Sequence, residues 1–304
     1  MVNLVEAFVC PKKEEDGEAL YTALMRLAAQ DPHCGVRRNV EQIWNLQARD
    51  PFALEDKAAR LRHEFGATLN FGAPNVIGRT TITRRTEVDF TFKRRMGAQG
   101  AFARVKLVFE PAEPGTGLTF TSDVIGDAVP GAFIPGVISG LDFAWESHEL
   151  DGFFAMDVRA VLVDGAFHDL DSSRVTFDMA ARGAFAELRK TAEFKSFEPI
   201  MAVSVATLAG DAVAVRRDLI ERGGRVTGET ARGDIVFVAG EAPLEGLLDY
   251  VDRLHVLSEG RARLRRMDFS RFAEVPQPDV PDGVFPPAVG MRLVGHAGVT
   301  AFSG

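Results

Sequence analysis

Apolar residues recur along the chain at two spacings, one typical of β-strands and the other typical of amphipathic helices. In the first region they predict a strand at 2–9, a helix at 16–30, one or two strands within 36–47, a helix from about 51 to 65 and a strand at 67–71. Pro51 suits the first turn of the second helix, and Gly66 suits its end. The order β-α-β-β-α-β is the ferredoxin-like plan.

A second region, from about 76 to 196, mixes strands rich in Thr, Val, Ile and Phe with two helices. Strands are predicted at 80–93, 102–110, 118–122 and 156–163, and helices from about 131 to 145 and from 175 to 190. A glycine-containing loop at 96–100 separates the first two strands. This order predicts an α+β domain that is distinct from the first.

The third region repeats the pattern of the first. It predicts a strand at 199–205, a helix at 212–222, strands at 225–230 and 234–240, a helix at 243–256 and a strand at 261–269. Five prolines beyond Glu274 predict an extended, loosely attached tail. We therefore expect domains at 1–75, 76–196 and 197–273, followed by a Pro-rich tail at 274–304. The fold class is α+β, with two ferredoxin-like domains that flank another α+β domain.

Composition restricts the classes of function. The chain has 304 residues, 46% of them hydrophobic and 26% charged, with a formal net charge of -8. That balance is typical of a globular protein without a global basic field for nucleic acid. Lys93, Arg94 and Arg95 form the best local basic patch, for which the alternative interpretation is a solvated strand end. The two cysteines, Cys10 and Cys34, are too far apart for a Cys-x-x-Cys site, and we expect them to be reduced.

Targeting and nucleotide-binding signals are not found in the sequence. No apolar run approaches the about 20 residues that span a bilayer, and the first residues do not form a secretory signal. No Gly-x-x-x-x-Gly-Lys-[Ser/Thr] motif occurs, nor a Gly-x-Gly-x-x-Gly motif between a strand and a helix. We expect a soluble, cytoplasmic protein with no membrane partner and no cofactor.

Candidate chemistry concentrates between the strand at 156–163 and the helix at 175–190. His168, Asp169, Asp171, Ser172 and Ser173 lie there. Asp171 and Ser172 are residue types that cap helix N-termini, which is the structural alternative. A metal site would need further ligands from other elements, and a Ser-His-Asp triad is not expected from neighbours in sequence.

Several short segments, in order along the chain, resemble the C-terminal half of elongation factor G. The segment 167–173, Phe-His-Asp-Leu-Asp-Ser-Ser, is similar to the family's Tyr-His-(Asp/Glu)-Val-Asp-Ser-Ser in its fourth domain. Further resemblances occur at 23–32, 61–66, 130–137, 197–201 and 254–262. Together they identify the chain as a member of that family, covering its third, fourth and fifth domains. The resemblance implies that the middle domain is similar to domain 2 of ribosomal protein S5.

The departures from the family pattern concern the GTPase half and one loop. The GTPase domain and the barrel that follows it are absent from these residues, and we expect a stand-alone protein. The family's Gly-Gly-Arg-Gly-Gln-Tyr-Gly-His-Val is Gly-Ala-Gln-Gly-Ala-Phe-Ala-Arg-Val at 97–105. The resemblance implies RNA contacts by a set of residues at the end of the fourth domain: Arg94, Arg95, Gly97, Gln99, Gly100, Arg104, His168, Asp169, Ser172 and Ser173.

The leading hypothesis is a translation protein that binds the ribosome without being an enzyme. Its partners would be the small-subunit decoding region and the factor site, or structured RNA, with a separate GTPase as a further partner. The first alternative is a decayed paralogue that binds a protein. The second alternative is an enzyme that uses His168, Asp169 and Asp171, with or without a metal.

Overall fold

The computed structural model describes residues 2–38, 43–96, 99–150 and 155–275. Three sheets carry the fold, and six α-helices pack on them within these residues. None of the helices described is long and apolar enough to cross a membrane. The described elements fall into three units in sequence order.

The first unit is an antiparallel sheet covered on one face by two helices. Its elements are β1 (Val5–Pro11), α1 (Gly17–Gln30), β2 (Gly35–Arg38), β3 (Trp44–Ala48), α2 (Pro51–His63), β4 (Leu69–Phe71) and β5 (Asn75–Val76). The strand order is β2-β3-β1-β4, with β5 also paired to β1. This order confirms the ferredoxin-like prediction.

Local signals in the sequence set the ends of α2. The Asp50 carboxylate accepts a hydrogen bond from the Ala53 backbone N–H at 2.8 Å, and Pro51 occupies the first turn. Gly66, just beyond the helix, has a φ of 65°, in the left-handed region that glycine adopts without a steric penalty. These residues therefore begin and end the helix where the sequence predicts.

The second unit is a four-stranded sheet with two helices. Its elements are β6 (Arg79–Ile82), β7 (Thr86–Met96), β8 (Gln99–Pro111), β9 (Leu118–Ser122), α3 (Ile134–Leu150), β10 (Ala155–Met156), β11 (Val158–Ala166) and α4 (Arg174–Thr191). The strand order of its four-stranded sheet is β7-β8-β11-β9, and β6 and β10 pair with each other outside this sheet. Within the four-stranded sheet, β9 and β11 are parallel, and the other pairs are antiparallel. Both helices are present as predicted.

The two helices of this unit, α3 and α4, are in close contact at two glycines. Gly136 and Gly140 are buried on the side of α3 that faces α4. A Cβ at Gly140 would overlap the carbonyl oxygen of Asp178 and lie 2.9 Å from the Cβ of Ala181. Glycine at these positions therefore permits the backbones to approach each other.

The third unit repeats the ferredoxin-like arrangement. Its elements are β12 (Phe194–Leu208), α5 (Ala212–Glu221), β13 (Arg225–Arg232), β14 (Ile235–Pro243), α6 (Tyr250–Leu257) and β15 (Arg263–Glu274). β12 pairs with both β14 and β15, and β14 pairs with β13. The order β15-β12-β14-β13 matches that of the first unit.

Three details differ from the predicted elements. The predicted strand at 80–93 is two strands, β6 and β7, because the chain passes from one sheet to another between them. The predicted helix at 243–256 is a 3-10 helix, Leu244–Leu247, followed by α6, and Pro243 ends β14 instead of beginning a helix. The strand predicted at 156–163 is broken at Asp157.

The break at Asp157 marks the junction between the second and third units. β6 and β10 pair with each other, and β6 pairs with the start of β12. At this junction, the buried Asp157 carboxylate accepts hydrogen bonds from the Arg79 guanidinium, at 2.8 Å for the Nε–Oδ2 pair, and from the Gly117 N–H at 2.6 Å. Strands from both sides of the predicted boundary at 197 therefore share one sheet. The domain boundaries themselves stay predictions.

Candidate nucleic-acid interface

Two segments of the second unit meet at the end of its sheet farthest from that junction. They are the β7–β8 turn and the connection between β11 and α4; we call residues 93–96, 99–102 and 167–174 the tip. The Phe102 N–H donates to the Asp171 carbonyl at 2.9 Å, and the Ser172 hydroxyl donates to the Phe102 carbonyl at 2.6 Å. The predicted loops are therefore brought together in space.

Both serines of the tip make hydrogen bonds within the protein. The Ser172 Oγ also accepts from the His168 N–H at 2.9 Å. The Ser173 Oγ accepts from the Thr176 N–H at 3.2 Å, and the Thr176 hydroxyl accepts from the Ser173 N–H at 2.9 Å. This reciprocal pair is a capping box at the start of α4. The structural alternative assigned helix capping to Asp171 and Ser172. The residue that caps α4 is instead Ser173.

The Asp171 carboxylate packs against Gly100 of the other segment. A Cβ on Gly100 would lie 2.5 Å from the Asp171 Oδ2, so glycine makes room for this carboxylate. The same oxygen is 3.7 Å from the His168 Nδ1, and that nitrogen accepts from the Leu170 N–H at 3.3 Å. The His168 side chain is 56% exposed. The loop thus presents the imidazole ring to solvent while its backbone is held.

Arg104 lies on β8 outside the tip and is engaged by carboxylates. Its guanidinium donates to Asp89, at 2.8 Å for the Nε–Oδ1 pair, and lies 3.3 Å from the Asp164 carboxylate. The hydrogen bonds from Arg104 hold the pKa of the Asp89 carboxyl below its usual value. Arg104 therefore stabilises the sheet face, and its charge is largely compensated.

Arg94 and Arg95 differ from Arg104 because they are exposed at the end of β7. No carboxylate among the described residues pairs with either guanidinium. Lys93 precedes them and is also exposed, and Arg95 lies opposite Gly100 in the strand register. The backbone of Gln99 pairs with that of Met96 across the turn, and Gly97 lies outside the described residues. The basic patch therefore borders the loop that carries His168.

Sequence reasoning missed one residue of the tip, Leu170. Its side chain is 88% exposed, although Leu is ordinarily among the most buried residue types. The signal in the sequence is an apolar residue inside a polar loop, between Asp169 and Asp171. Asp169 is itself exposed. The tip therefore combines an imidazole, an aliphatic side chain and adjacent cations.

Replacement of Ser172 by Ala is expected to lower the free energy of unfolding by about 1–2 kcal/mol, because the Phe102 carbonyl and the His168 N–H each lose a partner. Urea unfolding measures this change. The control is Ser139→Ala on the exposed face of α3, which should change stability by less than about 0.5 kcal/mol. Equal effects of the two substitutions would contradict a role for Ser172 in holding the tip.

Metal ligation was one of the alternatives for this loop. Within the residues that the structure describes, no group of three or more His, Cys, Asp or Glu side chains is arranged to hold a metal ion. The contact between His168 and Asp171 supplies only two such groups.

The fold defines the class of protein as an α+β chain in which an S5 domain 2-like unit is flanked by two ferredoxin-like units. Residues 74–193 match the family model for elongation factor G, domain IV, and residues 195–282 match the model for the elongation factor G C-terminus. The chain belongs to the elongation factor G family and corresponds to its C-terminal part.

Individual relatives agree with this assignment. The chain is 41% identical over 278 residues to elongation factor G of Hyphomonas neptunium, and 39% identical over 275 residues to that of Paracoccus denitrificans. Each match covers 90% of this chain but only 39% of the relative. The crystal structure of a protein from Thermus thermophilus matches with a TM-score of 0.66 and 29% identity, over 89% of this chain and 40% of that one.

Proposed function

We propose that this chain acts in translation by binding the ribosome, or a structured RNA, through the tip. The observation that carries the proposal is that Arg94 and Arg95, exposed at the end of β7, border a loop that presents the exposed His168 and Leu170 and is held by internal hydrogen bonds. Membership of the elongation factor G family supports a role in translation. The proposed action is binding without turnover, through the exposed side chains of the tip.

The chemistry of the tip suits RNA. Arginine side chains pair with phosphate oxygens through charge-assisted hydrogen bonds. RNA is recognised largely by shape, by 2′-hydroxyl contacts and by stacking on flat side chains such as His. The net charge of the chain is -8, so its attraction to RNA must be local, and the end of β7 supplies it.

The finer proposal concerns which part of the ribosome is bound. We infer that the tip enters the small-subunit decoding region while the rest of the chain lies at the factor site. A separate GTPase is a further proposed partner. Four residues have supporting roles in this proposal. Gly100 and Ser172 fit or hold the two loops, Ser173 caps α4, and Arg104 stabilises the adjacent sheet face. The proposed contacts to RNA are made by Arg94, Arg95, His168 and Leu170.

Co-sedimentation with 70S ribosomes and with separate subunits across a salt series tests the proposal. Wild type is expected to bind less tightly as salt rises. Arg94→Gln combined with Arg95→Gln should weaken binding about tenfold and reduce the slope of log K against log salt by about 1.4–1.8, as expected for the loss of two phosphate contacts.

The matched control is Arg84→Gln combined with Arg85→Gln. Replacing these two arginines makes the same change in net charge as the tip variant. They lie in the same unit, just before β7 begins, at the end opposite the tip. The control variant should bind as wild type does. Equal losses of affinity in both double variants would show that binding depends on net charge and not on the tip. Failure of the wild-type chain to bind ribosomes at low salt would exclude a ribosomal role for the tip.

A second candidate function is binding to a protein partner. It is favoured by the compensation of Arg104 by Asp89 and Asp164, which leaves the sheet face next to the tip with mixed charge. Capture of a defined protein from a lysate, without ribosomal RNA and with dependence on Leu170, would select this candidate.

A further inference from the structure

Three flat groups are layered on the surface of the first unit. The rings of Tyr21, on α1, and Trp44, on β3, stack with centroids 5.4 Å apart and an interplanar angle of 29°. The Arg38 guanidinium, on β2, lies over the Trp44 ring at 5.1 Å from its centroid. Arg38 and Trp44 are opposite each other in the strand register. We call Tyr21, Trp44 and Arg38 the aromatic stack.

The aromatic stack is open to solvent. Tyr21 is 47% exposed, Arg38 is exposed, and Trp44 is half-buried. Exposed, closely spaced aromatic rings form grooves that accept proline-rich segments, because a proline ring packs flat on an aromatic face. A polyproline II segment also loses little conformational entropy when it binds, since its backbone is already extended. The ligand chemistry that fits this surface is therefore a short Pro-rich peptide.

Such a peptide occurs in this chain. Residues 276–287 contain five prolines and two aspartates, and no lysine or arginine. The acidic character of that segment complements Arg38 and the exposed Lys12, which follows β1. The proposed occupant is thus the chain's own Pro-rich segment.

The connection is long enough to reach the stack. β15 ends at Glu274, and Phe272 lies beside Val2, since both are 3.5 Å from the Cβ position of Gly115. From Val2 the chain runs along β1 to Val9, which is opposite Trp44 in the register. That path of seven residues is about 23 Å. Twelve residues in a polyproline II conformation span about 37 Å.

We propose that residues 276–287 dock on the aromatic stack of the same chain and so tie the C-terminal segment to the first unit. Because the segment is tethered, its effective concentration at the stack is in the millimolar range, so a weak contact is enough. The proposal does not depend on ribosome binding. Its consequence is that a ligand for the stack would have to compete with the segment.

A first experiment uses the indole resonances of the full 304-residue chain, which has two tryptophans. In a variant that combines Pro278→Ser, Pro281→Ser, Pro286→Ser and Pro287→Ser, the Trp44 resonance is expected to shift. Trp145, in the second unit, is the internal control and should not move. An unchanged Trp44 resonance would overturn the proposal.

A second experiment uses trypsin on the full chain. Trypsin cleaves after lysine and arginine, and Arg292 is the one such residue within 276–304. Cleavage there releases residues 293–304, so the rate of that release reports how accessible the C-terminal segment is. Tyr21→Ser is expected to raise the rate of that release about fivefold, as for a segment that is docked about 80% of the time in wild type. The matched control is Phe52→Ser, at a side chain 45% exposed on α2, which should leave the rate unchanged.

Two results of the trypsin experiment would overturn the proposal. A rate that is the same in wild type and in Tyr21→Ser would show that the stack does not hold the segment. Protection that appears only as protein concentration rises would identify a second copy of the chain as the occupant. Protection that is independent of concentration and lost in Tyr21→Ser supports docking within one chain.

Discussion

Asp157→Ala is expected to lower the free energy of unfolding by about 3–5 kcal/mol, which is the largest effect that we expect from a single substitution in this chain. The Asp157 side chain is 1% exposed and that of Arg79 is 9% exposed. Removal of the carboxylate leaves the guanidinium buried without its counter-charge and the Gly117 N–H without an acceptor. The cost of an unpaired buried charge dominates this result.

Urea unfolding followed by tryptophan fluorescence measures the effect. Trp145 is a local reporter, because its indole N–H donates to the Met156 carbonyl at 2.8 Å, next to Asp157. The control is Asp127→Ala at an exposed aspartate. Arg79→Met combined with Asp157→Leu should recover most of the loss, because it removes both charges. A loss below about 1 kcal/mol in Asp157→Ala would contradict the importance of the pair.

Gly140→Ala is expected to lower the free energy of unfolding by about 2–3 kcal/mol, although alanine ordinarily favours a helix over glycine by about 1 kcal/mol. The added Cβ would overlap the Asp178 carbonyl oxygen, so α3 and α4 would have to move apart. Backbone atoms cannot rotate away as a side chain can. The overpacking therefore outweighs the gain in helix propensity.

Thermal and urea unfolding of Gly140→Ala should be compared with Gly17→Ala. Gly17 is the first residue of α1, and a Cβ there would meet nothing within 4 Å. The control variant should be as stable as wild type or slightly more stable. A Gly140→Ala variant that is also stabilised would show that the two helices are not in close contact.

Most of the helices could be predicted because their signals are local. The periodicity of α1 and the Asp50-Pro51 start of α2 depend on residues within one or two turns. The division between β6 and β7 could not be predicted from such local signals. Both strands have high β propensity, and what separates them is the choice of sheet, which depends on pairing with β12 more than 100 residues later.

The tip shows the same division between local and distant causes. Sequence reasoning placed His168 and the basic residues at one end of the second unit, because the segments match family motifs. It could not show that Arg104 is compensated by Asp89 and Asp164, which are 15 and 60 residues away in sequence. The exposure of Leu170 is likewise set by the shape of the loop.

Because β10 pairs with β6, and β6 pairs with β12, the sheet of the second unit can act as a lever whose fulcrum lies in the sheet of the third unit. β7 extends from Thr86 at the base to Met96 at the tip, about 33 Å away. A tilt of about 5° at that fulcrum would therefore carry His168 sideways by about 3 Å, the length of one hydrogen bond. The buried Arg79–Asp157 pair lies at this fulcrum, so we expect substitutions there to change the position of the tip.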